Sequence, residues 1–389
     1  MHIALCGPMS PSGVSALLTA TDAARADQYL GIGGVPVYEL AKGLVAAGHR
    51  VSVVTTAGLP EVSSARFEGR LIDVVCVPRR SAGPAIRDIY RLERGAMSSA
   101  LRECRPDIVH AHWTYEFELA AQDSRLPHVT TAHDAPFTIL RQMRDPYRAA
   151  RLAVALRARP GIRRLSTVSP YMVSSWRRQM AYRGPIEIIP NSIPRTGVAS
   201  SRTPGEHPVL LDVTDSGELK NVRGLLRAFR LLREVHPQAE LRVAGHGLDA
   251  DGPLARWAGE HKLSPGVSFV GVLPREQLAK EYSRAWVFVH ASLEESFGLT
   301  VLEALASGVP VVGGRDSGGV PFVLDNGRAG WLTDVSDPQA LASTMLRLID
   351  DGPPSPPTGA AGYARARFSP SAVSKAHLEW YERSTGGGT

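Results

Sequence analysis

Glu295 and Glu303 stand eight positions apart in HASLEESFGLTVLEALASG, residues 290–308, with Ser-Phe-Gly and then a helical apolar spacing between them. Carboxylates accept hydrogen bonds from hydroxyl groups, and the unpaired amides at a helix start favour phosphate. The spacing predicts a helix that opens near Ser296–Gly298 and ends at Gly308, glycine being the usual residue at a helix C-terminus. Glu295 then lies just outside the helix, and Glu303 about two turns inside it, roughly 12 Å further along. That span suits a sugar joined through a diphosphate to a ribose, with carboxylates on the hydroxyls at both ends and amides on the phosphates. Taken alone, an E-x7-E pair is more simply a capped amphipathic helix with one buried and one solvated glutamate.

The elements around this stretch decide its setting. HIALC (2–6), RVSVVTT (50–56), LIDVVCV (71–77), DIVHAH (107–112), HVTTAH (128–133) and EIIP (187–190) read as buried strands, with helical patterns such as VPVYELAKGLVAAG (35–48) between them. This is the βαβ alternation of a parallel sheet. The polar, proline-bearing PRTGVASSRTPGEHP (194–208) reads as a linker. The alternation then restarts at VLLDVT (209–214), ELRVAG (240–245), VSFVG (267–271), WVFVH (286–290) and VPVVGG (309–314). Two doubly wound α/β domains in tandem are expected, 1–193 and 209–367, with ligands beyond the carboxyl ends of the strands in a central cleft between them. GPPSPPTG (352–359) marks a loop. A last amphipathic helix, PSAVSKAHLEWYER (370–383), is expected to pack back on the first domain, followed by a disordered STGGGT tail.

Composition excludes several classes. A hydrophobic content of 43% and a charged content of 21% over 389 residues are those of a globular protein. No apolar run approaches the roughly 18 to 20 residues of a membrane span. MHIALCGPM has no basic leader and is read as lacking a signal peptide. Cys6, Cys76 and Cys104 have neither disulfide nor metal-ligand spacing, which suits reduced thiols and a cytoplasmic setting. The net charge of +6 favours an anionic small molecule; the spacing of nucleic-acid-binding motifs is missing.

HASLEESFGLTVLEALASGVPVVGG resembles the donor-site signature of the retaining GT-B glycosyltransferases of glycosyltransferase family four. The likeness extends in order over nearly the whole chain. GGVPVYELAKGLVAAGHRVSVVTT is similar to the family's glycine pair, helix and second strand. PDIVHAHW, TAHD, TVSPYM, IIPNSIP, LKNVRGLLRAF and SGGVPFVLDNGRAGWLT match further landmarks. The resemblance implies that Glu295 meets hydroxyls of the donor sugar, with the amides of Ser296, Phe297 and Gly298 beside it. Leu299 and Thr300 would face the diphosphate, and Glu303 would bind the ribose. Lys220 would neutralise the leaving diphosphate. Gly33 and Gly34 would let backbone approach the donor phosphate and the acceptor, and His133 would lie near the reacting face of the sugar.

One place departs from the family pattern. Where an arginine usually precedes the phosphate lysine, this chain reads DVTDSGELK, with Thr214 and Asp215. Either Arg223 substitutes, or diphosphate binding is weaker, or transfer is lost. LDADG (248–252) contains a D-x-D but reads as a polar turn. His110 and His112 of HAHW lack a third ligand of metal spacing, and His128 nearby shows that histidine is common here, so no metal site is assigned. RQMRDPYRAARLAVALRARPGIRR (141–164) carries eight arginines and one acid. Read as one helix, it is a solvated face over the core, with a membrane surface as the less favoured alternative.

The implied activity is retaining, metal-independent transfer of a hexose or N-acetylhexosamine from a nucleotide sugar, UDP-glucose or UDP-N-acetylglucosamine favoured, with no further cofactor. Glu116, Glu118 and Asp134 on the acceptor side suit a small cationic acceptor, such as an aminocyclitol of antibiotic biosynthesis. A nucleotide-sugar epimerase, a non-catalytic sugar-nucleotide-binding protein and a membrane-surface lipid glycosyltransferase stay open.

Overall fold

The strand-rich, alternating sequence folds, in a computed structural model, into two units. The structure describes residues 1–58, 64–195 and 197–385. Met1–Ser192 and the C-terminal segment from Pro370 form the first unit, and Ile193–Ser369 the second.

The first unit is built on a nine-stranded sheet. Its strands are β1 (His2–Cys6), β2 (Leu30–Gly31), β3 (Arg50–Gly58), β4 (Ala65–Glu68), β5 (Ile72–Pro78), β6 (Ile108–His112), β7 (His128–Ala132), β8 (Leu165–Thr167) and β9 (Ile186–Ile188). The order is β4-β5-β3-β1-β6-β7-β8-β9, with β2 on β3. All pairings are parallel except those of β2 and β4. Both faces are covered, and the period-2 alternation shows it. Ile3 and Leu5 join one core cluster with Val37, Leu40, Trp380 and Tyr381, while Ala4 and Cys6 join another with Met97, Leu101 and Phe117. A strand packed on both sides must be apolar throughout, which is why HIALC reads as an unbroken run.

The second unit has six parallel strands: β10 (Val209–Val213), β11 (Glu240–Ala244), β12 (Val267–Gly271), β13 (Val287–His290), β14 (Val311–Gly314) and β15 (Trp331–Thr333). Their order, β12-β11-β10-β13-β14-β15, reverses direction between β10 and β13. The parallel strands of the first unit reverse in the same way between β1 and β6. These switch points are where open α/β sheets bind ligands, because loops leave in opposite directions and part above the strand ends.

Three sequence expectations change. Residues 141–164 are not one helix: Pro136–Gln142 ends, and a second helix, Pro146–Ala158, starts after Asp145. Pro146 cannot continue the first helix, and the Asp145 carboxylate accepts the Arg148 N–H at 2.8 Å as an N-cap. The strands β2, β4 and β8 have two to four residues each, too short for a periodic signal. Thr196 of the linker lies outside the described residues. The last helix, Pro370–Thr385, includes Ser384 and Thr385, whose hydroxyls bond back to Trp380 O and Tyr381 O at 2.7 and 3.0 Å; residues 386–389 of the tail lie outside the described ones.

That helix is integral to the first core, since Trp380 is 2% exposed and Tyr381 fully buried. Trp380→Ala should cost about 3 to 5 kcal/mol. In urea unfolding followed domain by domain, the first unit's transition should move to lower denaturant and the second unit's should not.

Candidate active site

Three loops meet at the switch point of the second unit. Strand β10 leads into a short 3-10 turn, Glu218–Lys220, before the helix Val222–Val235. Strand β13 ends at His290 and leads to Ser292 and Glu295. Since β10 and β13 pair directly, Lys220 and Glu295, 75 residues apart, come into contact. Lys220 Nζ donates to Glu295 Oε1 at 2.6 Å, Ser292 Oγ donates to the same oxygen at 3.0 Å, and His290 Nε2 lies 3.1 Å from it. All three contacts fall on Oε1, which leaves Oε2 for a further partner.

Beneath this cluster lies Asp212, the fourth residue of β10, wholly buried, with its Oδ1 3.7 Å from His290 Nδ1. That distance is electrostatic contact and not a hydrogen bond. Burial works against a charged His290, but Asp212 and Glu295 on its two sides outweigh it and raise its pKa to about 9. Burial also opposes the Glu295 carboxylate, yet His290 and Lys220 bring it down to about 2. Lys220, half-buried, is raised, the Glu295 charge overcoming burial. The site is therefore a preformed ion cluster at neutral pH.

The helix Leu299–Ala306 starts beside it. Gly298 caps it at φ +94°, and the first amide bonded within the helix is that of Leu302, to Gly298 O at 3.1 Å. The amides of Leu299, Thr300 and Val301 precede it, in the position that favours an anion. Gly319 closes against this turn. Its N–H bonds Glu295 O at 2.7 Å, and a Cβ there would meet Ser296 O at 2.4 Å. Phe297 contributes backbone only, since its ring packs edge-on against Phe322 and Phe368. At the other end Gly308, at φ +73°, gives its N–H to Leu305 O while Val309 bonds Ala304 O, a Schellman closure.

Glu303 is the fifth helical residue, little more than one turn inside and not two, because the helix opens only at Leu299. It is buried, taking Arg275 Nη1 on Oε1 at 2.8 Å and Tyr282 OH on Oε2 at 3.0 Å. Arg223, expected as a stand-in for the absent arginine, packs on an aromatic ring. Its guanidinium lies over the Trp257 ring at 4.8 Å, along a cavity of about 530 Å3 that Ser216, Gly217 and Arg227 also line. Asp215 is exposed and folds back onto its own loop, accepting the Gly217 N–H at 2.7 Å.

In the first unit, Gly33 and Gly34 open the helix Val35–Ala46 at φ +49° and +95°. A Cβ on Gly34 would stand 2.0 Å from Pro8 O, so the fold itself requires glycine there. At Gly33 a Cβ meets nothing within 4 Å, which leaves that backbone accessible. His133 follows β7 half-buried, its Nε2 2.9 Å from His112 Nδ1; burial holds it neutral, with a pKa near 3.

Glu116 and Asp134 share a cavity of about 400 Å3 in this unit, but Glu118 does not. Glu118 is buried elsewhere, accepting from Thr130 Oγ1 at 2.6 Å and Gln122 Nε2 at 2.7 Å. Arg79, Arg80, Arg148 and Arg151 line the same cavity and outnumber the two acids. Arg151 pairs with Glu116 at 2.5 Å and covers the Tyr115 ring at 3.6 Å, while Arg80 is taken by Asp88 and Glu93. Asp134 accepts Tyr115 OH at 2.9 Å on Oδ2; its Oδ1 and Arg148 Nε are buried without hydrogen-bond partners. Burial pushes the Asp134 carboxyl up to about 6.

Sequence reasoning missed His290, Asp212, Arg275, Tyr282, Arg79 and Arg80, and it read Arg148 and Arg151 only as part of a solvated basic stretch. A histidine closing the apolar strand WVFVH was a signal for His290, and an aspartate inside VLLDVT one for Asp212. Nothing local marked the others. Among the described residues, no group of three or more His, Cys, Asp or Glu side chains is placed to hold a metal ion.

Because folding raises the His290 pKa above its unfolded value of about 6.5, its stabilisation is complete below that pH and is lost as pH rises through about 9. Imidazole NMR should show His290 titrating near 9, and Asp212→Asn should lower that midpoint.

Comparison with known proteins places these features. Residues 33–196 match the family profile described as Glycosyltransferase Family 4, and residues 197–365 the one described as Glycosyl transferases group 1. A D-inositol 3-phosphate glycosyltransferase of Corynebacterium kroppenstedtii is 39% identical over 139 residues, 34% of this chain and 31% of that protein. Such matches span about a third of the curated relatives concerned. The N-acetyl-alpha-D-glucosaminyl L-malate synthase of Bacillus anthracis is 25% identical over 346 residues, 83% of this chain and 85% of that one. Among solved structures, a sucrose-phosphate synthase from Thermosynechococcus elongatus superposes with a TM-score of 0.78 at 21% identity, over 98% of both chains. HepE of Anabaena, crystallised with UDP and glucose, gives 0.71 at 16% identity over 98% of this chain and 100% of that one. Residues 33–196 and 197–365 thus each carry the likeness of a glycosyltransferase profile, and the chain folds as two Rossmann-like units of the GT-B kind.

Proposed function

We propose that this protein transfers a hexose or N-acetylhexosamine, with retention, from a nucleotide sugar to a small hydroxyl acceptor, UDP being the favoured nucleotide. The observation that carries the reading is the Lys220–Glu295–His290 cluster beside the start of the helix Leu299–Ala306. In this reading the diphosphate lies on the amides of Leu299 and Thr300 at the helix start. A hydroxyl of the sugar donates to the open Oε2 of Glu295, and the ribose donates to the remaining lone pairs of Glu303. Lys220 carries the charge that grows on the leaving diphosphate, at no reorganisation cost because Glu295 already holds it in place. The departing phosphate takes the acceptor's proton, so the scheme needs neither an enzyme nucleophile nor a metal.

The acceptor cavity favours an anion. Four arginines against two acids, one of them raised toward neutrality, is a poor fit to the aminocyclitol expected from Glu116 and Asp134 alone. Arg148 Nε and Asp134 Oδ1 together suit an acceptor with both a phosphate or carboxylate and a hydroxyl. The names of two relatives carry a phosphate and a malate.

A second reading, in which the acceptor is an anionic lipid at a membrane surface, draws on one observation. Phe137, Met143, Tyr147 and Leu156 are all exposed on the arginine-rich stretch 136–158. No helix of the described residues is long and apolar enough to cross a membrane.

Incubation with UDP-glucose, UDP-N-acetylglucosamine, GDP-mannose and ADP-glucose in EDTA, against pooled inositol phosphates, hydroxy acids and aminocyclitols, tests both substrates by released nucleotide and product mass. Lys220→Ala and Glu295→Gln should each lower kcat by about 100-fold or more. Conversion of the donor without acceptor would favour an epimerase, and binding without turnover a non-catalytic protein. Arg148→Gln should raise the acceptor KM about tenfold and leave the donor KM unchanged. Co-sedimentation with anionic but not neutral vesicles, weakening with salt, would favour the lipid reading.

A further inference from the structure

His133 does not stand alone. Four imidazoles, those of His110, His112, His133 and His377, lie ring to ring in the first unit. Centroids are 4.0 Å apart for His110–His112, 5.2 Å for His112–His133 and 5.4 Å for His110–His377. His110 and His112 come from alternate residues of β6, and His377 from the C-terminal helix. Burial holds all four below the usual histidine range, so they are neutral rings at physiological pH. A neutral imidazole has one donor and one acceptor nitrogen, and its hydrogen-bond partners choose which.

Those partners can be followed. His110 is satisfied on both sides, by Tyr381 OH and Thr131 Oγ1, each at 2.6 Å. His377 Nδ1 lies 2.9 Å from Val373 O, a carbonyl that can only accept. Its Nδ1 therefore carries the proton, and Nε2 is its acceptor. His112 uses Nδ1 on His133 Nε2, but its own Nε2 is buried with no protein partner. A cavity of about 10 Å3 adjoins these rings, lined by His112, His133, His377, Thr131 and Asn191. It has polar groups among its walls and room for one water. Pro36 and Leu40, of the helix that Gly33 and Gly34 open, and Ser192 also line it.

We propose that His112 is a positioning residue for His133: its Nδ1 holds the His133 ring in one orientation and one tautomer, and a water trapped between His112 Nε2 and His377 completes its hydrogen bonding. His133 Nε2 is thereby occupied, and only Nδ1 faces a substrate. The C-terminal helix, by bringing His377 and Tyr381, fixes the rings on which this depends. The catalytic consequence rests on the glycosyltransferase reading above; the tautomer itself does not.

Two substitutions separate the two bonds. In His112→Asn the side-chain amide can stand where Nδ1 stood, keeping the bond to His133. In His112→Gln it stands where Nε2 stood, keeping only the water. With 15N-labelled histidine, long-range 15N–1H spectra should show His133 as a single neutral tautomer in the wild type and in His112→Asn. His112→Gln should show a mixture. Its kcat should fall about 10- to 100-fold, at least fivefold more than that of His112→Asn, with the donor KM unchanged. His377→Phe should shift the tautomer ratio in the same direction. Thermal unfolding of each variant separates these effects from loss of fold. A single His133 tautomer in His112→Gln, or equal losses in the two His112 variants with the fold intact, would overturn the proposal. If no transfer activity is found in the wild type, the spectra still decide it, and only the glycosyltransferase reading fails.

Discussion

One carboxylate oxygen, Oε1 of Glu295, collects the contacts that hold the second unit's site in shape: an ammonium, an imidazole and a hydroxyl within 3.1 Å. Burying such charges costs several kcal/mol per ion unless each is paired. Lys220 and His290 pair with Glu295, and Asp212 lies beyond His290 as the next charge inward. The order of the strands makes this possible. Loops after β10 and β13 converge only because those strands are neighbours where the sheet reverses. The ion cluster and the glycine-capped helix start then lie together, charge beside unpaired amides, without any chain segment having to bridge them.

The first unit repeats the strand order and uses it differently. Above its switch point the backbone is tight, with Gly34 against Pro8 O and Gly7 so close to His112 that a Cβ would stand 2.8 Å from the His112 Cβ. The polar groups packed beneath are neutral rings and hydroxyls, not ions. The chain Ser166–Thr131–His110–Tyr381 runs from sheet to C-terminal helix in bonds of 2.5 to 2.6 Å. Fully satisfied buried networks of this kind rigidify what they support. His110 of this chain lies 4.0 Å from the His112 ring, whose Nδ1 meets His133.

The cavity that Glu116 and Asp134 share shows how charge is decided in three dimensions. Along the sequence, Glu116, Glu118 and Asp134 look like an acidic surface. Folding removes Glu118 to a buried network, neutralises Glu116 with Arg151 and raises Asp134 through burial. It then adds Arg79 and Arg148 from segments nearly 70 residues apart. The sign expected from the three acids is reversed by pairing and burial.

The sequence by itself determined the α/β alternation, the parallel body of the two sheets, the helix that Gly298 opens and Gly308 closes, and Lys220 and Glu295 as candidates. These follow from short-range causes: periodicity, the freedom of glycine at positive φ, and an ordered set of motifs. It could not show that Glu303 is occupied by Arg275 and Tyr282, that Asp145 and Pro146 divide the basic stretch, or that Arg223 lies on Trp257. Only the tertiary structure decided which charges meet, and therefore which are neutralised. Those pairings depend on strand order and on side chains up to hundreds of residues apart, such as His110 and Tyr381, and no local pattern encodes them.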